Sequence, residues 1–269
     1  MTQADISPAV NARRGLGRPD LPRSTPKRSS SATLLSPAAP VIRVLEAVNT
    51  LSEDERTLIG RLSVYRESIQ AGQSFCRPGR HVTARILISG WACRQRTLPD
   101  GRRQIFGFLI PGDSVGLGPG SCSLDEVSTV AVTRVECMDA LMLREMLFLG
   151  DERHRRLSQA VVGRRRLEEG WLLDHVVRLG RQSALERTAH FLLEIRDRTK
   201  AAGITNGEKF PMPLTQEVLS DALGLSVVHL NRTLQQMKKD GLVEMKSGWV
   251  GIVDLPYLRS IADFGPHDD

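Results

Sequence analysis

Apolar and polar positions divide the chain into regions of different texture. From 41 to about 70, Val41, Val44, Leu45 and Val48, then Leu58, Ile59 and Leu62, recur at three to four residues, the spacing of one helix face. Ser52 followed by Glu53, Asp54 and Glu55 reads as a helix start with acids in its first turn. From about 75 to 138 short apolar runs are broken by Pro78-Gly79, Ser89-Gly90, Asp100-Gly101 and Pro111-Gly112. Asp100-Gly101 predicts a tight hairpin, and Phe106, Phe108 and Ile110 fall on one face of the returning strand. Strands this short and evenly spaced suggest a small β-barrel or jelly roll. From about 139 to 180 helical spacing returns, through Leu141, Leu143, Met146 and Leu147 to Leu157, Ala160, Val161, Leu167, Trp171, Leu172, Val176 and Leu179. Arg164, Arg165 and Arg166 interrupt that stripe. A helix of ~25 residues is long for one globular domain, and fits a spine between two domains, a dimer seam, or both.

The remaining pattern is more specific. Ser183-x-x-Glu186 is a capping box that should open a helix through about Ala201, ended by Gly203. Residues 214–223 read as a short helix capped by Thr215, and Gly224 breaks it. A second helix, Val227 to about Lys239, is capped by Ser226. This is helix-turn-helix spacing, which sets the N-terminal end of the second helix where it can enter a DNA major groove. Its outward residues are Val227, Val228, His229, Asn231, Arg232, Gln235 and Gln236, and no acid occurs from Ser226 to Lys239. Arg232 suits guanine O6 and N7, Asn231 suits adenine, and valine suits a thymine methyl. The run Gly241 to Val253, turning at Ser247-Gly248, predicts a β-hairpin and completes a winged helix. Lys246 and Ser247 stand at its tip, within reach of phosphates. Thr215 and Gln216, at the start of the first helix, join the DNA-binding set.

Composition narrows the partners. The chain has 269 residues, 25% charged and 41% hydrophobic, the balance of a soluble protein. No apolar stretch approaches ~18 residues, so no membrane span is expected; no secretory leader is read either, and the cytoplasm is the expected location. The net charge of +6 permits a polyanion without demanding one. Residues 1–40, with Arg13, Arg14, Arg18, Arg23, Lys27 and Arg28 against Asp5 and Asp20, read as a disordered basic tail. Cys76, Cys93, Cys122 and Cys137 are scattered and form no C-x-x-C pair. The six histidines form no H-x-H or H-x-x-x-H motif, so no metal site and no cofactor are expected, and the chain is read as a non-enzyme.

With those residues in view, the chain from about 75 to 255 resembles the Crp/Fnr family of bacterial transcription regulators. The resemblance rests on Thr215 to Ser226 with Asn231-Arg232-Thr233-Leu234, on Leu87-Ile88-Ser89-Gly90-Trp91-Ala92, on Leu98 to Ile105, and on Pro111-Gly112-Asp113. It implies an α+β fold: an N-terminal cyclic-nucleotide-binding-like β-roll (jelly roll), a long dimerisation helix and a C-terminal winged helix-turn-helix. The expected divisions are 41–150, 151–180 and 181–269. It also implies a homodimer on a near-palindromic site of double-stranded DNA and contact with RNA polymerase. Departures from the cyclic-AMP-binding branch are specific. Gly116-Leu117-Gly118-Pro119-Gly120 lacks the acid of the phosphate cassette, and Val127-Ser128 stands where an arginine would precede the serine. Cyclic AMP is therefore not expected to bind. No cysteine precedes Cys76, which argues against an iron–sulfur cluster. A cyclic-nucleotide-, haem- or thiol-responsive regulator of the same family stays open, as does a cupin-type metal enzyme built on the roll. His81 and His175 are the candidate haem ligands. The small-molecule effector is unknown.

Overall fold

The computed structural model describes residues 36–76, 83–117, 127–150 and 152–264. The basic residues of the tail, Pro78-Gly79, His81, Gly118 to Gly120, Cys122 and His267 lie outside the described residues.

Residues 36–40, assigned by composition to the tail, are folded. Ala38 is fully buried, and helix α1 (Ala39–Glu46) opens with proline in its first turn, where the missing N–H is no loss. Its Val41, Ile42, Val44 and Leu45 are buried. Helix α2 (Glu53–Leu62) starts at the Ser52 cap, and Glu55 completes a reciprocal box. Glu55 does more than the local pattern foretells: its other oxygen accepts the Leu157 N–H at 2.8 Å, in the first turn of the long helix.

Eight short strands follow: β1 (Arg66–Ile69), β2 (Ser74–Cys76), β3 (Arg85–Ser89), β4 (Ala92–Thr97), β5 (Arg103–Leu109), β6 (Ser114–Val115), β7 (Ser128–Ala131) and β8 (Val135–Asp139). They form two antiparallel sheets, ordered β1-β8-β3-β6 and β2-β7-β4-β5. Ile69, Leu87, Ala92, Leu109, Val115, Ala131, Val135 and Cys137 fill the space between them. The hairpin turn falls at Asp100-Gly101 as expected, with Gly101 at φ +85°. The returning strand departs from the expected alternation. A bulge sets Arg94 opposite Gly107 and Gln95 opposite Ile105, leaving Phe106 over. Ile105 therefore joins Phe108 and Ile110 on the shared face, and Phe106 is only half-buried.

The helical stretch from 141 is two helices. Helix α3 (Leu141–Leu149) stops at Gly150 in the left-handed region, and α4 (Arg155–Arg181) begins after a 3-10 turn, Glu152–His154. Helix α5 (Ala184–Ala202) starts with the Ser183–Glu186 box and ends at left-handed Gly203. Beyond it lie β9 (Lys209–Pro211), α6 (Gln216–Leu223), α7 (Val227–Lys239), β10 (Val243–Lys246), β11 (Trp249–Ile252) and α8 (Leu255–Ala262). The three strands pair antiparallel in the order β10-β11-β9. The molecule is thus an α+β protein with a cyclic-nucleotide-binding-like roll, a long helix and a winged helix-turn-helix.

The roll and the winged helix share one core. Trp91, Cys93, Ile105, Phe108 and Ile110, on the outer face of the second sheet, belong to the same apolar cluster as Phe191, Leu192, Ile195, Leu219 and Leu223. Phe108 stacks edge-on against Phe191 of α5, centroids 5.6 Å apart. Helix α1 packs on α4 and α5, and Arg43 donates to the Gly203 carbonyl at 3.2 Å. Gly112 is required at that junction: φ is +99°, and a Cβ there would sit 2.6 Å from Val44 Cγ2.

Candidate nucleic-acid interface

The interface is built from local signals. Thr215 Oγ1 accepts the Val218 N–H at 3.2 Å and starts α6. Gly224 ends it at φ +63°, where a Cβ would also lie 2.9 Å from Leu179 Cδ2 of the long helix. Leu225 N–H returns to the Ser220 carbonyl, and Ser226 Oγ accepts the His229 N–H to open α7. Arg187 of α5 donates to the Leu223 carbonyl at 2.9 Å, satisfying an acceptor left over at the end of α6. Leu230, Thr233, Leu234 and Met237 form the buried face of α7.

The opposite face is solvent-exposed. Val227, Val228, Asn231, Arg232, Gln235, Gln236 and Lys239 line one shallow concavity, a two-residue-wide stripe repeating every four positions. The Gln236 amide donates to the Asp240 carboxylate at 2.7 Å. His229 and Ser226 are exposed at the first turn but outside that concavity. Thr215 and Gln216 are exposed at the start of α6. Lys246 and Ser247 are exposed at the wing tip, where Ser247 at φ +51° and Gly248 at φ +77° make the turn. The Gly248 carbonyl accepts the Met212 N–H at 2.7 Å, which ties the wing to the segment before α6.

Between the roll and helices α4 and α5 runs a chain of buried charges invisible to sequence patterning. Asp113 takes Arg164 of α4 on one oxygen at 2.5 Å and Arg198 of α5 on the other at 2.7 Å, and also accepts the Ile110 N–H. Arg198 continues to Glu194 at 2.8 Å, and Glu194 to Arg178 at 2.6 Å. Arg164 and Arg198 lie over the Trp171 ring at 4.4 and 4.3 Å from its centroid. Burial works to raise the Asp113 carboxyl, but Arg198 and Arg164 win and hold it below the ordinary range. Burial opposes Glu194 ionisation in the same way, and Arg178 and Arg198 hold it low. Nearer the surface, Arg103 on the β4–β5 hairpin takes Asp221 of α6 through Nε at 2.8 Å and Nη2 at 2.5 Å. Gln104 donates to the Asp221 carbonyl.

Cys93 and Cys137 are buried, and burial pushes both thiols up to about 11, so they stay protonated at neutral pH. His175 is buried, with Nδ1 3.5 Å from Arg178 Nη2. Leu117, in the glycine-rich stretch, is buried among Val41, Ile86, Ile88 and Ala160. Among the described residues, no three His, Cys, Asp or Glu side chains are grouped to hold a metal ion, and no helix is long and apolar enough to cross a membrane.

Comparison with known proteins bears on both halves. A Crp-like helix-turn-helix domain model matches residues 186–261, and a cyclic nucleotide-binding domain model matches 66–140. The transcriptional activatory protein AadR of Rhodopseudomonas palustris is 32% identical over 189 residues, 65% of this chain and 72% of that one. The nitrogen fixation regulation protein FixK of Bradyrhizobium diazoefficiens is 30% identical over 188 residues, with the same coverage of 65% and 72%. Among solved structures, FixK2 from Bradyrhizobium japonicum superposes with a TM-score of 0.62 at 22% identity, covering 73% of this chain and 96% of that one. A CooA mutant from Carboxydothermus hydrogenoformans gives 0.56 at 16% identity, covering 74% and 87%. With both domain models matched in order on this fold, and a relative this similar along most of its length, the chain belongs to the Crp/Fnr family of DNA-binding transcription regulators.

Proposed function

We propose that this regulator works as a homodimer that sets two copies of α7 in successive major grooves of a near-palindromic duplex. The carrying observation is the exposed, acid-free stripe of α7 on a rigidly capped helix-turn-helix. Arg232 reads guanine through O6 and N7, and Asn231 reads adenine. Ser226, Val227, Val228 and His229 form the turn that enters the groove. Thr215 and Gln216 at the start of α6, and Lys246 and Ser247 on the wing, hold phosphates. Leu172, Leu173, Val176 and Val177 are exposed side by side on α4, a stripe two residues wide that a second copy of α4 would cover. In this reading 41–150 is the sensing unit, 151–180 pairs subunits, and 181–269 binds DNA. RNA polymerase is the further partner, in keeping with relatives described as activators. The roll does not take cyclic AMP in this reading, because Gly116 to Gly120 brings no acid and Val127 stands where an arginine would pair the phosphate.

Selection from a randomised duplex library at fixed salt tests this reading, run beside Arg232→Ala. The expected product is a two-fold symmetric site with half-sites about 10 base pairs apart. Arg232→Ala should weaken it by about tenfold or more and relax one position, the loss of one bidentate contact. Weak, salt-sensitive, sequence-blind binding by the full chain would overturn it, and tight cyclic AMP binding in calorimetry would overturn the assignment of the roll.

A further inference from the structure

Apolar side chains on α7 are otherwise buried: Leu230 is 0% exposed, Leu234 4% and Met237 0%. Val227 at 43% and Val228 at 62% are the exceptions, and they occupy the first turn. Neither is needed to start the helix, since Ser226 supplies the cap. Neither joins an apolar cluster of the described residues. Both line the same concavity as Asn231 and Arg232, one helical turn further on. We propose that Val227 and Val228 read the C5-methyl groups of two neighbouring thymines in the major groove, a reading that rests on α7 being the DNA-entering helix.

The chemistry favours thymine over the other base edges. An isopropyl group has no donor or acceptor, and the only apolar feature a base pair shows in the major groove is the thymine methyl. Set against cytosine N4 or guanine O6, a valine would strip water from a polar group and return nothing. No acid on this face accepts the cytosine amine, because Ser226 to Lys239 has none. Both valines sit in the first turn of α7, the end of a recognition helix that meets base edges, and both face the same exposed side, so they reach neighbouring pairs. The valines thus specify a T-T or T-A type step beside the guanine that Arg232 reads. 5-Methylcytosine carries the same methyl, and the test separates the two sources.

The experiment uses the full chain and the operator recovered by selection. Each thymine of a half-site is replaced in turn by deoxyuridine, which removes one methyl and leaves every hydrogen-bonding group in place. Two adjacent positions should each lose about three- to fivefold in affinity, the worth of one buried methyl. Val227→Ala and Val228→Ala should each lose a similar factor on the thymine operator and become indifferent to deoxyuridine at one position. Both variants keep the helix, since alanine is the better helix former, and circular dichroism confirms it. In a second arm the same T·A pair is replaced by C·G and by 5-methylcytosine·G. Both replacements should bind more weakly than thymine; tighter binding of the methylated pair would overturn thymine as the source. If deoxyuridine is tolerated at every position while Arg232→Ala still abolishes specificity, methyl reading is wrong and the recognition helix stands. If no duplex is selected and Arg232→Ala changes nothing, both readings fall.

Discussion

Arg164 looks in the sequence like a fault in the apolar stripe of the long helix. It is a buried partner of Asp113, 51 residues away, and no periodicity rule can see across that gap. The buried histidine beside this chain has a consequence that solution measurement can reach. His175 has its pKa pushed down to about 4, first by burial and then by Arg178. His190 is lowered by the same two causes. Below pH 6.5 the unfolded chain gains protons that the folded chain refuses, so stability is complete above 6.5 and drains as pH falls toward 4. For His175 alone the full loss is up to about 3 kcal/mol. Urea midpoints at pH 7, 6 and 5 should decline in the full chain. His175→Leu should flatten that decline by about one proton's worth and leave His190 to supply the rest. An unchanged slope would show that His175 is not held neutral. Asp113 and Glu194 act in a lower window, because carboxyls held low in the fold lose their contribution only below about pH 4.

Among the elements, what was legible was what is local. Ser183 with Glu186, Thr215, Ser226, Gly203 and Gly224 lie within four residues of the groups they cap or turn, and each sits where its type predicts. The bulge that displaces Phe106 was not legible, because β4 sets it across the sheet. Nor was the short strand β9, three residues long. The DNA-facing stripe is an intermediate case. Its helix and exposed side followed from spacing, while its limits, with His229 outside the concavity, depend on how α7 sits on its neighbours. Glu55 shows how far local reading carries. Its box with Ser52 is in the pattern, but its grip on Leu157 is a contact 102 residues away. Burial works to raise its carboxyl, and the donors from Ser52 and Leu157 hold it below the ordinary value. Glu55→Ala should orphan two helix N-terminal N–H groups and cost about 2–4 kcal/mol in urea unfolding. Glu55→Gln keeps one good acceptor and should recover about half of that loss. Equal losses for both variants would mean that charge, not capping, is what matters.

At the scale of the molecule, the question is whether the winged helix can move against the roll. Four contacts among the described residues oppose it: the shared core around Phe108 and Phe191, α1 packed on α5 with Arg43 on the Gly203 carbonyl, the chain from Arg164 through Asp113, Arg198 and Glu194 to Arg178, and Arg103 on Asp221. Removing one partner of a buried charge chain costs about 3–5 kcal/mol, because its neighbours keep their desolvation and lose their counter-charge. Arg198 is the pivotal member. Among the described residues it alone joins the two acids, and it also holds the Phe108 carbonyl at 2.7 Å. Arg198→Met leaves Asp113 with Arg164 and Glu194 with Arg178, so each half of the molecule keeps a neutralised pair and the bridge between them is gone. The full chain should melt in one calorimetric transition whose van't Hoff and calorimetric enthalpies agree. Arg198→Met combined with Arg103→Ala should split it into two, with the winged helix melting first. Operator affinity should drop with it even though neither residue touches DNA, since a dimer whose recognition helices are not held at fixed spacing must order them on binding. A single sharp transition in the double variant would place the coupling in the apolar seam and the α1–α5 contact, and the ion chain would then be a consequence of docking rather than its cause.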